Sequence, residues 1–189
     1  MTLTATSHQD ASAPALRQLY MVRFLFAVVW AALLLVFGSD LTIGVKVLLF
    51  LYPAFDVAAA VVDARSSRAT RSAMGLYANM AISTAAAIGL AVAGTSGTAD
   101  VLRVWGTWAI VSGLVQLVVA LLRRSMGGQW AMILSGGISV LAGASFLASA
   151  SKSDPTLGHL AGYATLGGVF FLISAVRLYR GASPAAAKQ

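Results

Sequence analysis

Four polar side chains interrupt the long apolar stretches of this 189-residue chain: Arg23, Asp56, Asn79 and Gln116. A charged side chain in the middle of a membrane-spanning helix costs about 2.5–3.5 kcal/mol on insertion scales, so it needs a partner or water. If the stretches are antiparallel helices, each of the four residues lies about six residues or fewer from the end of its stretch at one membrane face. The four side chains therefore have a similar depth in the bilayer. We therefore predict a salt bridge between Arg23 and Asp56, with the two amide side chains nearby.

The predicted pair of Arg23 and Asp56 has two interpretations, and the residues leave both open. In the first, the pair ties two helices together while the stem of Arg23 extends toward the lipid headgroups. In the second, it lines a polar vestibule that is open to the cytoplasm and is used by a proton or a small solute. Pro53 removes a backbone donor and frees the carbonyl of Leu49, which predicts a kink beside Asp56.

A second set of ionisable groups is expected at the opposite membrane face. It consists of one histidine and three carboxylates: His159, Asp40, Asp100 and Asp154. A histidine near carboxylates titrates in the mildly acidic range and can report external pH, whereas a loop histidine is more often simply solvated. His159 is the candidate pH-sensing residue.

The serine-containing turn at residues 94–97 reads Gly-Thr-Ser-Gly, and His159 is expected on the same side. This combination is similar to the serine–histidine pair of rhomboid intramembrane proteases, in which histidine takes the serine proton and backbone donors stabilise the oxyanion. However, the segment TADVLR separates Ser96 from the next apolar stretch, and a Gly/Ser/Thr-rich turn is the usual chemistry of a loop. A rhomboid-like protease is therefore a remote alternative, and we expect no catalytic residues and no enzyme activity.

Residue types exclude several other kinds of site. The chain has no Cys, no Glu and only two His, which leaves no metal-binding cluster. It carries no phosphate-binding loop and no dinucleotide-binding fingerprint. The formal net charge of +7 reflects basic residues at a membrane face rather than a nucleic-acid-binding surface. We expect no cofactor, no metal and no nucleic acid partner, and the residues do not identify a small-molecule ligand.

The composition requires a lipid environment. Hydrophobic residues make up 59% of the chain and charged residues 10%, against roughly 45–50% and 25% in a soluble domain. So few polar side chains cannot cover a water-exposed surface, which excludes a soluble enzyme and a disordered chain. Six apolar stretches each reach the roughly 20 residues that cross a bilayer, and they lack the alternation of barrel strands. The predicted fold is all-α, with six transmembrane helices at 19–37, 41–62, 73–93, 104–122, 130–148 and 157–176.

The basic residues predict the orientation. Of the 13 Lys and Arg residues, all but Lys46, Arg103 and Lys152 fall on the side that carries both termini. The excess of positive charge predicts a multi-pass membrane protein with both termini in the cytoplasm. We expect disordered tails at 1–16 and 181–189 and a membrane domain at 17–180, with no cleaved signal peptide. Aromatic side chains are expected at the two membrane boundaries: Tyr20, Trp130 and Tyr179 inside, Trp105 and Trp108 outside.

The membrane domain contains a weak internal repeat. A shift of 54 residues (143 minus 89) superposes five identical pairs: Gly89 and Gly143, Asp100 and Asp154, Gly113 and Gly167, Val115 and Val169, and Arg123 and Arg177. Each unit would contain two helices and enter the membrane the same way up, so the repeat axis would follow the membrane normal. The predicted domain is three αα-hairpins, at about 17–65, 73–124 and 128–180.

Small residues are predicted to bring the helices together. Lipid tails are as apolar as leucine, so close backbone approach rather than burial drives association in a membrane. The residues predicted to pack helices are Gly89, Gly113, Ser139, Gly143, Gly162 and Gly167. Packing within one chain is the first interpretation. The alternative is a homo-oligomer or an interface with other membrane proteins, which would make the protein an assembly or scaffold partner.

Three segments of the chain, at 105–124, 127–147 and 162–180, resemble the HdeD-like acid-resistance membrane proteins. The resemblance covers roughly residues 17–180. The residues that carry it are Arg23 in the first helix, Ser135, Gly136 and Gly143 in the fifth, and Gly167, Val169 and Arg177 in the sixth. It implies a six-helix protein of the bacterial inner membrane, built from repeated hairpins. It also implies a non-enzymatic role in acid or envelope stress tolerance.

Overall fold

The computed structural model describes residues 4–66, 73–126 and 129–181, and within these ranges all regular structure is helical. The helices are α1 Thr4–Phe37, α2 Ile43–Ser66, α3 Ala73–Ser96, α4 Thr98–Leu122, α5 Trp130–Ser149 and α6 Gly158–Gly181. A single 3₁₀ turn, Arg124–Met126, follows α4. Each of the six helices contains a segment long and apolar enough to cross a membrane. The predicted fold class, an all-α membrane protein with six spanning helices, is therefore confirmed.

The first helix is longer than its apolar stretch requires. Because α1 begins at Thr4, residues 4–16 are helical, which corrects the expectation of a disordered segment there. The reason is that this segment is rich in alanine, which has the highest helix propensity, and adding turns to an existing helix avoids the cost of nucleation. Of the tail predicted at 181–189, Gly181 is the last residue of α6 and 182–189 lie outside the described residues.

The six helices form a closed ring. The connections are too short to return along a helix, so successive helices run antiparallel. Each helix packs against its neighbours in sequence, and α1 packs against α6 to close the ring. We call the end where α2, α4 and α6 finish the basic end, and the other the opposite end. Across the ring, no two helix backbones of the described chain come close.

The six seams of the ring are not equally tight. The most extensive contacts are between α4 and α5, α1 and α6, and α2 and α3, which join one predicted hairpin to the next. The looser seams lie within the predicted hairpins, and the α5–α6 seam is the loosest of all. Helices in lipid pack closely only where small residues let the backbones approach. Differences in seam tightness therefore follow from where the small residues lie.

Glycine makes the α4–α5 seam the tightest. A Cβ atom placed on Gly143 would lie 2.5 Å from the carbonyl oxygen of Gly106, and one on Gly136 would lie 2.8 Å from that of Gly113. Neither backbone could move aside, so a side chain at these positions would separate the helices. Ser139 lies on the same face of α5. A Cβ placed on Gly113 would lie 2.9 Å from the Cβ of Ser139. Gly113, Ser139 and Gly143 thus lie in one seam, and Gly106 and Gly136 complete it.

The other predicted packing glycines occupy three different environments. Gly89 faces the side chain of Val104 on α4, 3.0 Å from where its Cβ would be. Gly167 faces the ring interior, with the Tyr52 hydroxyl 3.9 Å away. Gly162 is exposed and has open space where a Cβ would project, so the prediction that it packs against a helix is wrong. The α1–α6 seam uses Gly168 instead, which lies against Ala27.

Aromatic side chains fill the half of the ring near the opposite end. Trp30, Tyr52, Trp105 and Trp108 contact one another there, with ring centroids 4.7–6.1 Å apart. Trp105 is 0% exposed and Trp108 9%, so the prediction that they anchor the outer membrane boundary is wrong. Since a ring of six helices leaves a wide centre, large planar side chains are needed to cross it. Trp130, 60% exposed at the start of α5, does lie at a helix end.

Candidate functional site

The ion pair between Arg23 and Asp56 joins three helices. Arg23 on α1 donates to Oδ1 of Asp56 on α2. Asn79 and Ser83, both on α3, donate to Oδ2 from 2.7 Å and 2.8 Å. The two charged side chains are 12% and 17% exposed, and hydrogen bonds to an ionised acceptor are stronger than neutral ones. The predicted pair therefore exists in the structure, with one of the two predicted amides attached to it.

The network around the pair reaches two more helices. Ser83 accepts a hydrogen bond from Nε1 of Trp108 on α4, at 3.2 Å. The guanidinium of Arg23 lies over the ring of Phe171 on α6, with Cζ 4.2 Å from the ring centroid. A cation over an aromatic face is attracted by the ring quadrupole, and more strongly where water is excluded. The pair and the groups bonded to it therefore link α1, α2, α3, α4 and α6.

A cavity of about 600 Å³ occupies the half of the ring near the basic end, and side chains from all six helices line it. Its lining extends along α6 from Tyr163 to Leu178, about 22 Å at 1.5 Å per residue. Small-molecule sites typically enclose about 300–1,000 Å³. Gln116, the fourth predicted polar residue, lines this cavity rather than bonding to the ion pair. The cavity is therefore large enough for a small organic molecule.

The sequence explains why this half of the ring is hollow. Near the opposite end the inward positions carry large side chains, such as Trp30 and Trp105. Near the basic end the cavity lining includes many small or polar residues: Ala60, Gly75, Ala109, Ser112, Gln116, Ser135 and Ser139. Because the same six helices surround both halves, smaller inward side chains leave a larger void. The difference in inward side-chain size thus sets the position of the cavity.

Charge in the cavity is concentrated in two arginines at the basic end. Arg23 and Asp56 neutralise each other, and Asp63, 5% exposed, has an interaction of its own. Arg123 at the end of α4 and Arg177 near the end of α6 also line the cavity. In the described part of the chain, neither of these arginines forms an ion pair. With three arginines against two aspartates, the cavity lining therefore has a net positive charge.

Hydroxyl groups line the cavity wall that faces the ion pair. Tyr163 on α6 donates to Oγ of Ser139 on α5, at 2.9 Å, so this hydrogen bond crosses the loosest seam. Oγ of Ser112 on α4 is buried and has no hydrogen-bond partner among the described residues. A buried hydroxyl without a partner costs free energy. A ligand group or a bound water would satisfy it.

The remaining predicted site residues lie away from this cavity. Pro53 is buried within α2, which continues as α-helix through it. His159 is exposed near the start of α6, and Asp100 is paired with Arg103 at 2.6 Å rather than with His159. Ser96 ends α3, with Gly97 alone between α3 and α4, so the turn is shorter than predicted. Ser96 does not line the surface groove that contains His159.

Sequence reasoning missed several residues of the site, although helical spacing could have found them. Positions four or seven residues apart share a helix face. Ser83 follows Asn79 by four residues, Asp63 follows Asp56 by seven, and Ser112 precedes Gln116 by four. Tyr163 gives no such signal, because an aromatic residue in a spanning helix is equally at home facing lipid. Helical spacing could therefore have predicted the polar residues of the site, but not Tyr163.

No protein-family model, curated protein or solved structure matches this chain. No three His, Cys, Asp or Glu side chains of the described ranges are grouped as they would be to hold a metal ion. The function proposed below therefore depends on the geometry of the cavity. The family resemblance stays a prediction.

Proposed function

We propose that this integral membrane protein carries a small solute across the membrane, and that the structure is the form open toward the basic end. The observation that supports this is the central cavity, which all six helices line and which ends at an aromatic layer. Tyr52, Trp108 and Tyr163 form that layer. A carrier needs a site that one side can reach while the other is closed, and the cavity lining runs from this layer to Arg123 and Arg177 at the basic end. The aromatic side chains close the route toward the opposite end.

The ion pair stabilises the wall of this cavity. Three donors occupy Asp56, and Arg23 has both a carboxylate and an aromatic ring as partners. This arrangement favours a solute route over a proton route, because Asp56 is already committed to holding α1, α2 and α3 together. A dry, closed core would have supported a scaffold role, and the cavity disfavours it.

The positive charge at the basic end supports a cytoplasmic orientation for it. With this orientation in the bacterial inner membrane, the cavity faces the cytoplasm and both termini lie there. The role in acid or envelope stress tolerance implied by the resemblance to HdeD-like proteins stays a prediction. Acid sensing by His159 also stays a prediction.

Cysteine accessibility tests the proposal, since the chain has no cysteine of its own. Gln116→Cys introduces a thiol in the cavity, and Ser83→Cys introduces one at a 0% exposed position as the control. We expect a charged methanethiosulfonate reagent to modify the first thiol and not the second. In sealed vesicles, the Gln116→Cys thiol should react quickly from the basic-end side and slowly from the other.

The two sides of the membrane separate the outcomes. If the Gln116→Cys thiol is as unreactive as the Ser83→Cys thiol, the core is dry and the proposal is overturned. If it reacts from the basic-end side but never from the other, the cavity is a binding pocket without transport, and the carrier function is overturned.

A further inference from the structure

A surface groove lies directly behind the wall of the cavity. It follows the outside of the α5–α6 seam from His159, near the opposite end, to Leu166. Ile138, Tyr163 and Leu166 line both the groove and the cavity. One layer of three side chains therefore separates the cavity from the outer surface of the ring.

This layer lies in the weakest part of the ring. The α5–α6 seam has the least extensive contacts, and Gly162 leaves open space on the groove side of it. The polar contact that crosses the seam at this level is the 2.9 Å hydrogen bond from Tyr163 to Ser139. Tyr163 also packs edge-on against Phe146 on α5, with centroids 5.7 Å apart. Of the three side chains in this layer, Tyr163 is the one that holds α5 and α6 together by a hydrogen bond, so loss of that bond would loosen the layer.

The groove is in contact with the hydrocarbon of the bilayer. Its lining is mostly apolar, including Leu35, Ile138, Ala142, Phe146 and Leu166. These residues lie inside the membrane-spanning segments of α1, α5 and α6. A molecule that reaches the cavity by this route must therefore be one that dissolves in lipid.

The charges that line the cavity indicate which polar group such a lipid-soluble molecule would carry. Arg123 and Arg177 line the basic end and outnumber Asp63, the carboxylate that lines the cavity besides Asp56, so the lining favours an anion over a cation. Guanidinium groups bind carboxylates through paired hydrogen bonds. Deeper in the cavity, the lining includes Phe170, Phe171 and Leu166, which suit a hydrocarbon chain. Head and chain therefore have separate places along the cavity.

We propose that the solute is a single-chain amphipathic anion, such as an alkyl carboxylate, and that it passes between the cavity and the bilayer through the α5–α6 seam when the hydrogen bond from Tyr163 to Ser139 breaks. Its anionic group lies near Arg123 and Arg177, and its chain points toward Tyr163. This inference rests on the proposed function in one respect, namely that the central cavity binds a solute.

Binding of radiolabelled dodecanoate tests the solute class. The protein is placed in nanodiscs of phosphatidylcholine, and empty nanodiscs measure simple partitioning into lipid. We expect saturable binding that unlabelled dodecanoate displaces and that acetate and dodecyltrimethylammonium do not. Arg123→Gln and Arg177→Gln should each weaken binding about tenfold, as the loss of a charge-assisted hydrogen bond predicts. Arg180→Gln removes the same charge from an exposed position outside the cavity lining and should leave binding unchanged.

Three results would overturn the solute class: no saturable binding, equal displacement by the cationic chain, or equal effects of Arg180→Gln and Arg177→Gln. These results are independent of the accessibility of the Gln116→Cys thiol. If that thiol reacts from both sides and dodecanoate does not bind, the carrier function stands and the solute is of another class. If that thiol does not react at all, both proposals fail.

The rate of dodecanoate exchange tests the route. Gly162→Phe fills the groove, whereas Gly137→Phe adds the same ring to α5 at a position that also has open space but lines neither groove nor cavity. We expect Gly162→Phe to slow the exchange of bound dodecanoate about tenfold relative to Gly137→Phe, and Tyr163→Phe to speed it up. Equal rates in the two phenylalanine variants, or an unchanged rate in Tyr163→Phe, would overturn the route.

Discussion

A single carboxylate, that of Asp56, collects donors from two neighbouring helices while its own helix passes between them. Removing either charge would leave the other inside the membrane without compensation, whereas removing both leaves polar but neutral groups. Loss of one partner of a buried pair typically costs about 3–5 kcal/mol, much of it the penalty of the unpaired charge. At the scale of the residue, each charge of the pair therefore stabilises the fold only while the other is present.

We expect Arg23→Gln and Asp56→Asn each to lower the free energy of unfolding by about 3 kcal/mol. The double variant should be more stable than either single variant, because neither charge is left unpaired. Unfolding midpoints in detergent measure the effect. Asp100→Asn breaks an ion pair that is 43–55% exposed at the opposite end, and it should change the midpoint little. Additive losses in the double variant would contradict the interpretation.

Depth counting along apolar stretches could predict this pair, because stretch length fixes where each residue lies in the bilayer. It could not predict which other polar groups join. Serine in a spanning helix commonly bonds to its own backbone, as Ser145 and Ser174 do here. Ser83, which donates to Asp56, has the same residue type and a similar setting. Ser83 differs from these two serines only in that the rotation of α3 about its axis turns it toward Asp56.

At the scale of the helix, glycine placement decides which seams are tight and which are loose. The α4–α5 seam is held by backbone against backbone. The α5–α6 seam depends on side chains that can rotate. The repeat equivalence of Arg123 and Arg177 puts both guanidiniums at the basic end of the cavity. Two of the hairpins therefore each place an arginine at the basic end of the cavity, although the contacts between helices differ from one hairpin to the next.

Gly143→Leu is expected to separate α4 from α5, because its Cβ alone would lie 2.5 Å from the carbonyl oxygen of Gly106. We expect loss of monodisperse protein in size-exclusion chromatography after extraction into detergent. Gly137→Leu adds the same side chain to the same helix where space is open, and it should elute like the unmodified protein. Similar elution of the two variants would show that the seam can adjust.

The sequence could mark small residues as packing positions, but it could not say which of them face a helix. Gly143 and Gly162 both stand among small residues at four-residue spacing, yet one meets a backbone and the other meets open space. Lipid and leucine are equally apolar. No apolar pattern therefore distinguishes the lipid-facing side of such a helix from the packed side.

At the scale of the whole molecule, the ring and its hollow half are properties of the assembled helices. The number and order of the helices followed from the apolar stretches, whereas α1 and α4 begin earlier than those stretches do. The closing contact between α1 and α6 and the position of the cavity depend on which faces turn inward. The tryptophans illustrate the difficulty, because indole rings are common at membrane boundaries. Trp105 and Trp108 instead fill the centre of the ring.

The positive charge predicts which end of the ring faces the cytoplasm, and two serines allow a matched test. Ser125 lies at the basic end and Ser153 in the α5–α6 connection at the opposite end, and both are exposed. We expect an impermeant maleimide to label the Ser153→Cys variant in intact cells and the Ser125→Cys variant only after permeabilisation. The reverse pattern would invert the orientation.

The turn between α3 and α4 has a practical consequence. Gly97 alone joins the two helices, at a φ of 132° that suits glycine and few other residues. That corner of the molecule offers no loop to grasp, and an epitope inserted there would disturb both helices. Antibody fragments raised as fiducials for electron cryomicroscopy should therefore be directed to the connection at 150–157. Binding there would also restrain α5 and α6, the two helices that form the proposed route to the bilayer.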